Sequence, residues 1–247
     1  MSRLRLAAVP LAGIVVSALF GCPATASASK TGAVHRGGQS RTLPDGTPAA
    51  PPPRARRTAT MTLTIPSIGI RNLRVVAYAG TTDDWPGTRI QDRGLTATPF
   101  GPHGGVGPGE IGNFLVTGHR TADGGPFHAV PSLKAGARVL VSTGGVTYVY
   151  AITGTRRTDF RSARSLAAQR AAVPGRPGEK PAQAMLTLST CATPEDAAAG
   201  DTWHDDKGNP RHRIDKIGVL VGWSRSGSTA RPHPLAAGEV PVRHRST

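Results

Sequence analysis

The sequence predicts a mainly β domain, closed or sandwich-like, with few short helices and long loops. Three observations predict it. Seven or eight short segments read as strands, two of them, 61–66 and 186–190, with a period near two. Turns rich in glycine and proline separate them, and the 247 residues include 31 Gly and 22 Pro. Helical patterning is scarce and confined to short stretches. Short strands with a turn between each pair are what a small barrel or sandwich requires.

Met61-Thr-Leu-Thr-Ile-Pro66 alternates and stops at its proline, giving a first strand. Residues 67–70 turn into a second strand over 73–78. Residues 81–112 carry many glycines and prolines and read as loop. Its glycine-rich part, Gly104-Gly-Val-Gly-Pro-Gly109, follows no strand and contains Pro108, so it is a poor phosphate cradle and reads as a loop near the functional site. Residues 112–118 form a third strand, with His119 at its C-terminal end. A short helical turn is expected within 126–133, then a strand over 138–142. Gly144-Gly145 is a hairpin turn into 146–152, a stretch with β-branched and aromatic residues suited to a strand. Residues 159–172 have helical composition but are mostly polar, which predicts a loop with one helical turn. Leu186-Thr-Leu-Ser-Thr-Cys191 is a strand that ends at a thiol. A short helix follows, with Thr193 as N-cap, Pro194 at its first position, Glu195 and Asp196 in its first turn and Gly200 at its end. A loop over 201–210 leads to the last strand, Ile214 and 217–221, which ends at Trp223.

The flanks do not look foldable. Arg3 and Arg5 precede an apolar run over 6–21 and the small-residue sites Ala24-Thr-Ala26 and Ala26-Ser-Ala28. Residues 1–29 are therefore a secretory signal peptide or an uncleaved membrane anchor, and Leu19-Phe-Gly-Cys22 also has the look of a bacterial lipobox. Residues 30–60 form a disordered linker, with five prolines between Pro44 and Pro53 and then Arg54, Arg56 and Arg57. Residues 61–223 are one domain with enough chain for a proper core. Residues 224–247 form a basic, disordered tail. The expected location is extracytoplasmic and membrane-associated, or secreted if the leader is cleaved.

Thirty Lys and Arg against 15 acids give a net charge of +15. An exported basic chain suits an anionic envelope of phospholipid headgroups or wall polymers, although a genome bias toward arginine gives the same excess. Nucleic acid is excluded as a partner. Only three Tyr, five Phe and three Trp are present, and no basic stripe is interleaved with aromatics.

Of the two cysteines, one lies in the leader, so the domain has no disulfide and one thiol, Cys191. A lone thiol in an oxidising compartment is either buried or used. Acyl chemistry on a thiol needs three groups. The sulfur must reach its thiolate form, a histidine must protonate the leaving amine, and a donor must meet the developing oxyanion. Cys191, His119 and an arginine near 213 meet this requirement, and the first two both fall at C-terminal strand ends. No metal or cofactor is expected. His103, His128, His204 and His212 lack zinc-ligand spacing, and the acidic cluster of Asp201, Asp205, Asp206 and Asn209 is out of order for an EF-hand loop and reads as solvated.

Asn113-Phe-Leu-Val-Thr-Gly-His-Arg120 and Leu188-Ser-Thr-Cys191 resemble the histidine and cysteine segments of sortases. Ile65-Pro66 with Ile68-Gly-Ile70 resembles their first-strand element, and residues 127–141 resemble the segment that follows the histidine. Four motifs in family order span about 61–223. The resemblance implies a single closed eight-stranded sortase-type β-barrel. It implies a cysteine transpeptidase in which Cys191 cleaves the Thr–Gly bond of an LPxTG-like sorting signal, with His119 as acid and base. Its substrates would be secreted proteins that carry the signal, and its acceptor an amine of a peptidoglycan precursor. The exported, Arg/Ala-rich type resembles class E, for which the signal is LAxTG. Family arginines follow the cysteine by about nine residues, whereas here none occurs before Arg211. Arg213, just before the last strand, is the expected oxyanion residue, with Arg211 as its competitor. Thr190 and Thr117 would contact substrate, Thr190 by lining its groove, Thr117 and Gly118 would also shape the turn at His119, and Arg120 would stand at the substrate or in a rim salt bridge. Two other readings are an exported cysteine protease resolved by water, and a non-catalytic basic wall-binding module with a buried cysteine.

Overall fold

The computed structural model describes residues 60–226 and the backbone of 233–234. The expected leader, the linker up to residue 59 and most of the tail lie outside the described residues. Within them the chain runs β1 (Met61–Ile65), β2 (Ile70–Ala79), α1 (Trp85–Gln91), β3 (Thr96–Phe100), β4 (Gly112–Thr117), β5 (Arg138–Thr143), β6 (Val146–Asp159), α2 (Ala163–Arg170), β7 (Ala184–Cys191), α3 (Thr193–Ala198) and β8 (His212–Arg225). A two-residue strand, β9 (His233–Pro234), extends β8.

Eight strands close on themselves in the order β6-β5-β1-β2-β3-β4-β7-β8, with β8 pairing back to β6. Closure leaves none of the eight as a free edge. All pairs are antiparallel except β2 with β3 and β4 with β7. The parallel β2–β3 pair requires a crossover, and α1 supplies it.

The interior follows from the alternation. In β1, Met61, Leu63 and Ile65 are buried while Thr62 and Thr64 are only partly so. Tyr148, Tyr150 and Ile152 of β6, Val139 and Val141 of β5, and Leu186 and Leu188 of β7 join them in one core. Each fully buried side chain of this size stabilises the fold by roughly 1.5–3 kcal/mol. Strands β4 and β7 are buried at every position. The end of α2 is tied to them by polar bonds. Asn113 Nδ2 donates to the carbonyls of Gln169 and Ala171, and Gln169 Nε2 donates to Ser189 Oγ and to Asp215.

Four expectations change. Residues 81–112 contain α1 and β3. Asp84 caps α1, its Oδ1 accepting from Gly87 N–H at 2.9 Å, and Pro86 sits in the first turn. Strand β6 does not stop at 152 but continues to Asp159 along β8. A full α2 takes the place of one helical turn. The cap of α3 is Ala192, with Thr193 already helical. The glycine-rich loop also lies elsewhere than expected. Val106 N–H donates to Asn113 C=O and Gly105 N–H to Pro99 C=O, which sets it beside the start of β4 and not beside the histidine past its end.

Candidate active site

Strand register assembles the site. Strands β4 and β7 run parallel with Thr117 beside Ser189. Two residues further along each chain stand His119 and Cys191, so the imidazole and the thiol arrive at the same rim. Strands β7 and β8 are antiparallel, and Cys191 pairs directly with Arg213. Directly opposed residues of an antiparallel pair project to the same face. Three neighbouring strands thus deliver three side chains.

The rim is held in place by the backbone. Gly118 N–H donates to Ser189 C=O, and Phe127 N–H to His119 C=O at 3.0 Å, which closes the 119–127 loop on itself. Gly118 has no room for a side chain, because a Cβ there would lie 2.9 Å from the Phe127 ring and 3.0 Å from Thr96 Cγ2. Ala192 N–H donates to His212 C=O at 2.9 Å, which fixes the chain just past the cysteine.

Cys191 is buried at 9% exposure, and Arg213 Nη1 donates to its Sγ. Arg213 is buried too, and Nη2 donates to Asp83 Oδ1 and to Asn209 Oδ1, each at 2.7 Å. Its guanidinium also lies over the Phe160 ring, 4.5 Å from the centroid. Burial pulls the arginine's pKa down, but the charges of Asp83 and Cys191 and the Asp83 hydrogen bond outweigh it, so the net shift is upward. The guanidinium stays charged against the sulfur.

His119 is partly buried. Its Nε2 lies 3.0 Å from Asp92 Oδ1 and 3.4 Å from Asp123 Oδ2. Its pKa is raised, mainly by a hydrogen bond with Cys191. Burial opposes the rise, and the Asp92 hydrogen bond and the charges of Cys191 and Asp123 add to it. Asp92, His119 and Asp123 also bring one ligand atom each to within 4.8 Å of one another, a spacing that a metal ion could use. Asp92 is hydrogen-bonded to the imidazole and Asp123 is ion-paired with it.

The other expected residues are placed as follows. Arg211 turns away from the thiol to Asp159, 3.0 Å from Nη2, and to Asp201. Thr190 is buried, and its hydroxyl donates to Gly118 C=O at 2.8 Å. Thr117 is buried, with its hydroxyl on Ala97 C=O. Both hydroxyls brace the strand ends. Arg120 pairs with Glu195 of α3 at 3.4 Å, as a rim salt bridge would. In the 201–210 loop Asp205 accepts from the N–H groups of Lys207 and Asn209 and from Asn209 Nδ2, which orders the turn that carries Asn209 to Arg213.

Asp83, Asn209, Phe160, Asp92 and Asp123 were not legible as site residues. The Asp84-Trp-Pro86 helix start was a signal for α1, and recognising it would have drawn the 80–92 segment into the structured part. Nothing local marks Phe160 or Asp123.

The sortase family model, described as the sortase domain, matches residues 63–202, more than half of the chain. The fold is similar to that of SrtA sortase from Actinomyces oris, at 21% identity over 77% of this chain and 96% of that one, with a TM-score of 0.55. It is also similar to SrtF sortase from Corynebacterium diphtheriae, at 18% identity over 77% of this chain and 99% of that one, with a TM-score of 0.52. Sortase E1 from Streptomyces coelicolor, solved with a tripeptide in the active site, is 20% identical over 73% of this chain and 98% of that one, with a TM-score of 0.51. A search of curated protein sequences finds no match. With its closed eight-stranded barrel and a thiol at the rim, the chain belongs to the sortase family of cysteine transpeptidases.

Proposed function

We propose that Cys191 attacks the Thr–Gly carbonyl of an LAxTG-like sorting signal on a secreted protein. The Sγ–C bond forms, the C–N bond breaks, and His119 gives its proton to the departing glycine amine. Arg213 donates to the oxyanion as it develops. An amine of a peptidoglycan precursor then attacks the thioacyl carbon, the new C–N bond forms as the Sγ–C bond breaks and returns the Cys191 thiolate, and His119 takes up the amine's proton. One observation supports this reading above the rest: Arg213 Nη1 donates to Cys191 Sγ while His119 arrives at the neighbouring strand end. A wall-binding module has no use for a buried guanidinium on a thiol. The role at the oxyanion falls to Arg213 rather than Arg211, whose side chain is engaged by two aspartates. Arg120, beside His119, is the residue proposed to reach substrate, by exchanging Glu195 for a polar group of the peptide. Thr190 and Thr117 hold the strand ends. The class E-like signal, export, and attachment through the N-terminal segment belong to the same reading, and no described helix is long and apolar enough to cross a membrane.

Mass spectrometry of the full chain mixed with an LAxTG peptide tests it, with and without an added amine. The expected result is a peptide acyl adduct on Cys191 that the amine converts to a transpeptidation product, with neither in Cys191→Ala. An adduct that gives only hydrolysed peptide, whatever amine is added, would favour a protease. No adduct with LAxTG or LPxTG peptides would overturn the proposal.

A further inference from the structure

We infer that Asp83 is a positioning residue for this chemistry, holding the Arg213 guanidinium so that Nη1 meets the sulfur. The inference rests on the proposed role of Arg213. Asp83 and Arg213 form a buried pair at 2.7 Å, with both side chains 3% exposed. A guanidinium is a rigid planar fork, so fixing one of its nitrogens fixes the direction of the other. Asp83 and Asn209 both accept from Nη2, the Phe160 ring covers one face, and Nη1 is left pointing at Cys191.

The backbone at Asp83 is held against its own preference. Its φ is +61°, a conformation that L-residues other than glycine adopt uncommonly, with aspartate among the more tolerant. Such strain persists only where the surroundings over-determine it. Here they do. On one side Tyr78 donates its hydroxyl to Thr81 C=O, and Thr81 N–H donates to Asp84 Oδ2. On the other, Arg170 Nε donates to Thr82 Oγ1 at 2.9 Å, which ties the loop to α2. The same loop therefore reads three elements, β2, α1 and α2, and converts their positions into one for the guanidinium.

A purely structural role explains the pair poorly. Asp83 Oδ2 is buried and has no hydrogen-bond partner among the described residues. Burying a carboxylate with one oxygen unpaired costs free energy that the ion pair itself does not reliably return. The arrangement makes sense if its product is the direction of Nη1.

A rate test separates direction from stability. Peptide turnover by the full chain is measured for Asp83→Ala, Asp83→Asn and Arg213→Ala at a temperature where each remains folded. Asp83→Gly replaces the alanine variant if φ +61° keeps the latter from folding. Asp83→Ala or Asp83→Gly is expected to lower kcat about 10²-fold, the size of losing one oxyanion donor, with KM changed less than about threefold. Asp83→Asn keeps an acceptor in place and is expected to recover at least about tenfold of that loss. In the Arg213→Ala background, deleting Asp83 is expected to change kcat less than about twofold, because the two act as one unit. If Arg213→Ala lowers turnover but deleting Asp83 leaves it unchanged or raises it, the inference is overturned while the arginine's role stands. An equal loss on deleting Asp83 with and without Arg213 also overturns it. If Arg213→Ala itself turns over normally, the failure lies with the proposed function.

Discussion

His119 touches more charge than a general acid strictly needs, and the excess has a sign. Asp92 and Asp123 both stabilise its protonated form, as does Cys191, and the folded-state pKa is raised. A raised histidine pKa keeps the imidazolium to higher pH, where the proton can be given to a leaving amine. Removing one of the carboxylates reverses the direction. Asp92→Asn is expected to move the His119 titration to lower pH, read by NMR of the ring, and to draw the alkaline limb of the kcat profile down with it. An unmoved or rising titration would remove Asp92 from the site. At this scale the sequence named the thiol, the imidazole and the guanidinium because their strand ends carry recognisable residues. It did not name their partners. Asp83 reaches Arg213 from a loop 130 residues away, a meeting that the closed barrel makes, and Asn209 reaches it through the turn that Asp205 orders, four residues earlier.

Strands with one buried face were legible, and so were the fully buried β4 and β7, whereas β3, α2 and the outer half of β6 were not. Strands β1 and β5 alternate cleanly because solvent lies on one side. Strand β3, Thr96-Ala-Thr-Pro-Phe100, is buried at four of five positions and carries Pro99, so neither period nor composition announces it. Helix α2 has no apolar face because its docking is polar, through Gln169. The outer half of β6, Thr153-Gly-Thr-Arg-Arg-Thr158, carries no apolar residue, which hides a strand paired with β8. The glycine-rich loop shows what its composition is for. Gly109 has φ +78°, donates its N–H to Tyr150 Oη at 2.8 Å, and would place a Cβ 2.3 Å from the Tyr148 ring. Both tyrosines are in the core. Gly109→Ala is therefore expected to cost roughly 2–4 kcal/mol of stability in denaturant unfolding, combining overpacking and backbone strain. Gly136→Ala, where φ is +84° but nothing lies within 4 Å, is expected to cost less, from strain alone. Equal losses would mean that the fit against Tyr148 does not matter.

Across the whole barrel, the working groups and the supporting groups are separate residues of the same strands. Strand β7 shows it along one line. Leu186 and Leu188 face the core at 0% exposure, while Cys191, at the rim, is 9% exposed and meets the Arg213 fork rather than apolar neighbours. The strand order that makes this possible was not readable from alternation alone. Pairings such as β1 with β5, β4 with β7 and β6 with β8 join distant stretches, and only the likeness to a known family anticipated that they close. Closure lets a rim residue change without disturbing the core, because each strand stays paired on both sides. The two losses should then come apart. Cys191→Ala is expected to abolish turnover and to cost about 1–3 kcal/mol, since it removes little packing but leaves the buried Arg213 Nη1 without its sulfur acceptor. Leu188→Ala removes a fully buried side chain and is expected to cost roughly 2–5 kcal/mol, while the molecules that remain folded keep their thiol chemistry. Chemical denaturation and active-site titration on the same samples measure both. A stability loss in Cys191→Ala that exceeds that of Leu188→Ala would show that the sulfur packs as core, and that the rim and the support are not separable in this barrel.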